Sequence, residues 1–254
     1  METRPWVLAE STWPAVRDAG YEVVVLPWGA TEAHNTHLPY ATDVTEASEI
    51  AIAAAGIAWG RGARVVVVPP VPFGVNTGQL AVPYCLNLNP STQLAVLRDL
   101  VQALEPHGAR KLVVVNGHGG NDFKPLLREL QPQTSLFLSF VNWWTILDAR
   151  LYFGEPGDHA GALETSVMMH LTPAHVRPLD QAGSGEERRF RIAALREGWA
   201  WAQRDWPSVT RDTGVGNPAG ATPALGERFV RDAAEKLAGY LVDLAAADPD
   251  DLYA

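Results

Sequence analysis

The chain reads as an α/β protein, a single-domain three-layer α/β/α arrangement around a mainly parallel central sheet. Three observations predict it. Apolar runs at Tyr21–Leu26, Arg64–Val68, Lys111–Val115 and Ser135–Val141 lack the polar alternation of a sheet with one wet face. Segments with helical spacing separate these runs, as parallel strands require. No repeat, low-complexity tract or linker interrupts the 254 residues, so one domain is expected over 1–254.

The elements follow in order. Residues 1–20 form an N-terminal arm with a short helix near Thr12–Ala19. Tyr21–Leu26 is the first strand, buried on both faces. Asp43 opens a helix. Val44, Ala47, Ile50, Ala51, Ala54 and Ile57 recur at three- and four-residue steps until Gly60 and Gly62 stop it. Arg64–Val68 is the second strand, closed by Pro69-Pro70. Val71–Pro90, punctuated by proline and glycine, is a long loop, and ordered loops of that length are often functional. Thr92–Leu104 is a helix, Lys111–Val115 a strand, Phe123–Leu130 a short helix and Ser135–Val141 a fourth strand. Ala160–Leu171 is a helix. Glu186–Arg204, charged and aromatic, is expected to be helical and partly exposed. Asp212–Gly220 is a turn-rich loop, and Leu225–Leu244 a final amphipathic helix.

Composition narrows the function classes. A hydrophobic content of 47% with 19% charged residues is that of a globular protein. A net charge of −9 argues against a nucleic-acid or anionic-membrane surface. The single cysteine, Cys85, excludes an internal disulfide framework and reads as a small buried hydrophobe. The first residues lack the apolar core of a signal peptide, and no uncharged apolar run approaches the roughly 18 residues that span a bilayer. A cytoplasmic protein is expected.

Three clusters carry candidate chemistry. The first strand ends in Trp28-Gly29-Ala30-Thr31-Glu32-Ala33-His34-Asn35-Thr36-His37-Leu38-Pro39, with Asp43 close behind. Strand ends are where α/β proteins build sites, and Glu, His and Asp are ligands for Zn, Mn or Fe. Glu32 and His34, two apart, point the same way if the backbone is extended. At a helix start, Asp43 also has a plain electrostatic explanation. The second cluster is His118 among Gly117, Gly119 and Gly120, directly after the third strand. It has neither the lysine of a phosphate-binding loop nor the spacing of a dinucleotide fingerprint. The third is Asp158-His159-Ala160-Gly161-Ala162-Leu163-Glu164, whose His159 and Glu164 reach one cavity if His159 precedes the helix. His107, His170 and His175 read as structural.

Gly-x-Thr-Glu-x-His-x-x-His-Leu-Pro at 29–39, Asp43, Asn-Gly-His-Gly-Gly-Asn at 116–121 and His-Ala-Gly-x-x-Glu-Thr-Ser at 159–166, in this order, resemble the creatininase (creatinine amidohydrolase) family. Thr213-Gly214-Val215 and Ala221-Thr222-Pro223 resemble its C-terminal portion. The resemblance implies a compact α/β/α fold, two divalent metal ions and a homo-oligomer, usually a hexamer. It implies Glu32, His34, Asp43 and His118 as ligands, with Asp43 bridging both ions, and His159 as the catalytic histidine.

Creatininase itself has a glutamate ligand where this chain has Gly120, so another ligand is needed, and Glu164 is the candidate. The Gly-Gly form is similar to family branches that include a formamidopyrimidine deformylase and a peptidase acting on a redox-cofactor precursor. The expected reaction is C–N hydrolysis of a small amide, lactam or formamide by a metal-bridging hydroxide, with His159 as general acid/base. The alternatives are a peptidase acting on a short modified peptide and a metal-dependent lyase or isomerase. His37, Asn76, Thr77, Trp143 and Trp144 are the candidate substrate contacts. A binding module with a structural metal is less consistent with a carboxylate-rich, cysteine-free ligand set.

Overall fold

The computed structural model describes residues 3–108 and 110–253. Four parallel strands form the sheet: β1 (Val23–Trp28), β2 (Val65–Val67), β3 (Lys111–Asn116) and β4 (Phe137–Asn142), in spatial order β2-β1-β3-β4. The helices are α1 (Trp13–Asp18), α2 (Thr42–Gly60), α3 (Pro90–Leu104), α4 (Phe123–Leu130), α5 (Ala162–Leu171), α6 (Ala193–Arg196), α7 (Trp206–Val209) and α8 (Pro223–Ala246).

Period-two alternation sends successive strand residues to opposite faces. Val23, Val25, Val65, Val67, Val113 and Val115 meet α2, α5 and α8, including Ile50, Val167, Phe229 and Leu237. Val24, Leu26, Trp28, Val66, Leu112 and Val114 meet α3 and α4 through Leu97, Val101, Phe123, Leu126 and Leu130. The apolar strands are thus covered on both sides, which gives the three layers. Each fully buried Val or Leu contributes roughly 1.5–3 kcal/mol of apolar transfer. The N-terminal arm shields the β2 edge, where Val67 N donates to Trp6 O at 2.8 Å.

Strands and long helices fall where the sequence places them, with ends displaced by one or two residues. α3 starts at Pro90, whose missing N–H costs nothing in the first turn. The clear correction is 186–204. Only Ala193–Arg196 is helical there, and the remainder is an irregular strap. Gly198 takes φ +83°, and Trp199 and Trp201 stay exposed, so no apolar stripe docks a helix. Among the described residues, no helix is long and apolar enough to cross a membrane.

Candidate metal centre

Between β1 and β3 the strand order reverses. The chain leaves β1 toward β2 on one side and returns through β3 on the other, so the loops at their carboxyl ends diverge and leave a crevice. The two strands end in register, Trp28 beside Asn116. The loop after β1 carries Glu32 and His34, and the loop after β3 carries His118. The first turn of α2 presses onto both. A Cβ on Gly117 would stand 2.2 Å from the Asp43 carbonyl oxygen, and one on Gly29 2.6 Å from Val44 N. Glycine at both positions therefore brings Asp43 to the strand ends. His159 arrives from the far side, paired with Val215 through backbone hydrogen bonds of 2.9 and 2.8 Å, and Glu164 follows in the first turn of α5.

Glu32, His34, Asp43, His118, His159 and Glu164 converge here. Each histidine sets one ring nitrogen against a backbone carbonyl: His34 Nδ1 on Glu32 O at 3.2 Å, His118 Nε2 on Val75 O at 3.1 Å, His159 Nε2 on Ala33 O at 2.8 Å. A carbonyl only accepts, so each of these nitrogens carries a proton, and the other nitrogen of each ring is left to a second proton or, in its place, a cation. Those second nitrogens face carboxylates. His34 Nε2 lies 2.8 Å from Asp43 Oδ1. His118 Nδ1 lies 2.9 Å from Glu32 Oε1 and 3.0 Å from Asp43 Oδ2. His159 Nδ1 lies 3.7 Å from Glu32 Oε1.

Despite these separations, His34 Nε2 and Asp43 Oδ2 make no aligned hydrogen bond. Acceptor atoms gathered round common points, each histidine fixed from behind by a carbonyl, form the arrangement a cation fits. Three sets of ligand atoms lie within 4.8 Å of one another: Glu32, Asp43 and His118; His34, Asp43 and Glu164; Glu32, His34 and His159. Asp43 belongs to the first two and offers a different oxygen to each histidine. All donors are oxygen or imidazole nitrogen, the set Zn, Mn and Fe accept.

The charges of the protein itself show the tension. Burial alone would lower the pKa of His34, but Asp43, Glu32 and Glu164 outweigh it and raise it to about 10. His118 moves the same way, with Glu32 and Asp43 overcoming burial. Burial would raise Asp43, yet His34 and His118 hold it below the usual carboxylate range. Burial lifts Glu164 to about 7, against the pull of His34. Burial, with His34 nearby, lowers His159 and keeps its ring neutral.

Gly120 itself cannot carry a ligand. A Cβ there would stand 2.4 Å from both His118 Nε2 and the Val75 carbonyl oxygen. Glu164 approaches from α5 instead, with Oε2 accepting from Ala160 N.

A cavity of about 570 Å³ opens from this cluster. Asn76 and Trp144 lie in its wall, as do Gln79, Trp201, Arg204 and Trp206. His37, Thr77 and Trp143 do not. Asn35, at φ +52°, turns the chain between the two histidines, and His37 Nε2 meets Thr165 Oγ1 at 2.9 Å beside a separate groove. Thr77 pairs with Gln203 at 3.0 Å. Trp143 is fully buried against Phe229, with ring centroids 6.0 Å apart.

Residues that sequence reasoning missed include the strap side chains and Glu46. The strap was hidden by its misassignment as helix. Glu46 lies one helical turn after Asp43 on the same face of α2, a spacing that was there to be read. It is buried, and neither carboxyl oxygen has a hydrogen-bond partner. Burial, followed by the charges of Glu164 and Asp43, raises it well above the usual range and keeps it neutral.

A family model described as creatinine amidohydrolase matches residues 9–241. The chain belongs to the creatininase family. A crystal structure from Bacteroides fragilis, provisionally assigned as a creatinine amidohydrolase, superposes with a TM-score of 0.93 at 44% identity and covers 100% of both chains. The mycofactocin precursor peptide peptidase of Mycobacterium ulcerans is 28% identical over 86% of this chain and 81% of its own. The creatinine amidohydrolase of Pseudomonas putida is 28% identical over 65% and 72%. Creatininases of known structure at 22–23% identity share the fold, and they include a Zn–Zn form and a Mn form. This chain, like the family's hydrolases, is an enzyme.

Proposed function

We propose that the protein is a dinuclear metal-dependent amidohydrolase acting on the C–N bond of a small amide, lactam or formamide. The observation that carries this reading is the division of Asp43, with Oδ1 on the His34 side and Oδ2 on the His118 side. Glu32 and His118 would complete one position, and His34 and Glu164 the other. Glu164 thereby takes the place of the ligand that Gly120 cannot supply. Divalent ions in these positions would supply a Lewis acid for the carbonyl and a water of lowered pKa.

The chain's own groups do the rest. His159, neutral and with its Nδ1 lone pair open to the cavity, accepts a proton from the attacking water and returns it to the leaving nitrogen. Trp206 meets the His159 ring edge-on at 5.2 Å and, with the Ala33 carbonyl, fixes its orientation. Trp144 and Trp201 bound the space for the substrate, and Asn76, whose Oδ1 has no hydrogen-bond partner, offers it a polar contact. A volume of about 570 Å³ suits a small molecule.

The test is metal analysis of wild type beside Glu164→Gln, followed by an amide and formamide screen in ¹⁸O water. About two equivalents of Zn, Mn or Fe in wild type, about one in the variant and ¹⁸O in the product are expected. No bound metal after incubation with these ions would overturn the reading, and turnover without ¹⁸O would favour a lyase or isomerase.

A further inference from the structure

The long loop after β2 places two side chains behind Glu32. Gln79 Nε2 donates to Glu32 Oε2. Gln79 Oε1 accepts from Cys85 Sγ at 3.3 Å, and Cys85 Sγ in turn accepts from Ala33 N at 3.3 Å. Gln79 and Cys85 are both buried. The chain of donors has one direction. An amide oxygen only accepts, so the thiol donates its proton to the Gln79 carbonyl oxygen while a sulfur lone pair takes the Ala33 N–H. With that oxygen taken, the amide must present NH₂, and not its oxygen, to Glu32.

The consequence falls on Glu32. Its Oε2 is committed to the amide. Only Oε1 remains, and it is the atom near His118 Nδ1 (2.9 Å), His159 Nδ1 (3.7 Å) and His34 Nε2 (3.9 Å). We propose that Gln79 is a positioning residue that restricts Glu32 to a one-oxygen ligand, and that Cys85 sets the orientation of the Gln79 amide. This rests on the dinuclear reading above. It also assigns the single cysteine a directional hydrogen bond, beyond its packing as a small apolar group.

The relay explains why this loop is anchored so close to the site. Leu86 N donates to Thr31 O at 2.9 Å, and Asn76 Nδ2 donates to Leu86 O at 3.1 Å. These bonds hold residues 76–86 against the segment that leads into Glu32. Partners that orient a metal ligand from behind typically change metal affinity by about 10–100-fold when removed.

The experiment measures metal affinity by chelator competition, and the visible spectrum of the Co(II)-loaded full chain, for wild type, Gln79→Met, Cys85→Val and Cys85→Ser. Gln79→Met keeps the side-chain length without the amide. Cys85→Val removes the proton donor without touching Glu32. Expected are a loss of about 10-fold or more in the affinity of one ion for Gln79→Met, a smaller loss for Cys85→Val, altered Co(II) bands in both, and recovery in Cys85→Ser. Wild-type affinity and spectrum in a folded Gln79→Met would overturn the role of Gln79. Should that variant not fold, an unchanged spectrum in Cys85→Val would overturn the relay. Wild type that binds no Co(II) would remove the dinuclear reading and this assignment with it, whereas binding in wild type with no change in either variant removes this assignment alone.

Discussion

Gly120 and His118 are locked together: a Cβ on the glycine would stand 2.4 Å from the His118 Nε2 that donates to Val75 O. Restoring a glutamate at 120 would therefore not recreate the missing ligand. It would push His118 off the carbonyl that orients it. Gly120→Glu and Gly120→Ala are both expected to lose about 1–3 kcal/mol of stability, because overpacking meets backbone here and not a flexible side-chain end. Both are also expected to weaken metal binding. Thermal melts and metal content check this, and a stable Gly120→Glu with unchanged metal content would refute it.

Asp43 is the residue whose loss cannot be shared. Both candidate positions use it, one oxygen each. Asp43→Ala should retain close to no metal and no hydrolysis, whereas Glu164→Gln should retain about one ion. His159→Ala should keep both ions and lose most turnover, since general acid/base groups contribute about 10²–10⁴-fold. Metal analysis beside a single-turnover assay separates the three variants. A fully metallated, active Asp43→Ala is the outcome that sinks the scheme.

Part of the fold and most of the candidate site are legible in the sequence. Strands β1 and β3 were legible because burial on both faces leaves an uninterrupted apolar run, and their polar ends marked the crevice. Glu32, His34, Asp43, His118, His159 and Glu164 were legible through motif order, and the structure brings all six together. The direction of side chains around Asn35 was not legible. One left-handed residue separates His34, which faces the site, from His37, which faces Thr165. Nor could Trp143 be told from Trp144, where a short 3₁₀ turn sends one ring to the core and the next to the cavity. The strap, residues 186–204 outside Ala193–Arg196, was not legible because a charged and aromatic stretch reads as an exposed helix, yet Trp199 stays in solvent and Trp201 lines the cavity wall.

The strap rests on the β2–α3 loop through a close backbone approach. Trp206 N donates to Gly78 O at 2.9 Å, and a Cβ on Gly78 would stand 2.2 Å from the Arg204 carbonyl oxygen. Gly78→Ala should therefore lift the strap, along with Trp201 and the Arg204 side chain that joins Asp158 at 2.8 Å. The expected result is faster tryptic cleavage at Arg204 and a raised KM with metal content unchanged. Cleavage at the wild-type rate would show that the strap is held elsewhere.

Proton competition at the site fixes the sign of its pH dependence. In the metal-free protein, Glu164 is raised from 4.5 to about 7, so its contribution to stability is present below 4.5 and is lost as pH rises to about 7. His34 is raised from 6.5 to about 10, so its contribution is present below 6.5 and is lost as pH rises through about 10. His37, lowered by burial from 6.5 to about 4, gains stability over nearly the span in which Glu164 loses it, so metal-free protein should lose thermal stability chiefly above pH 6.5, and Glu164→Gln should leave it gaining stability between about pH 4 and pH 6.5. Cations compete with the same protons, so their affinity should rise with pH. The difference in melting temperature between loaded and metal-free protein should therefore widen from about pH 5 to about pH 9, which spans most of both windows. Melts of the two forms across that range decide it: a difference that narrows with pH would mean that the ions do not displace protons from His34 and Glu164.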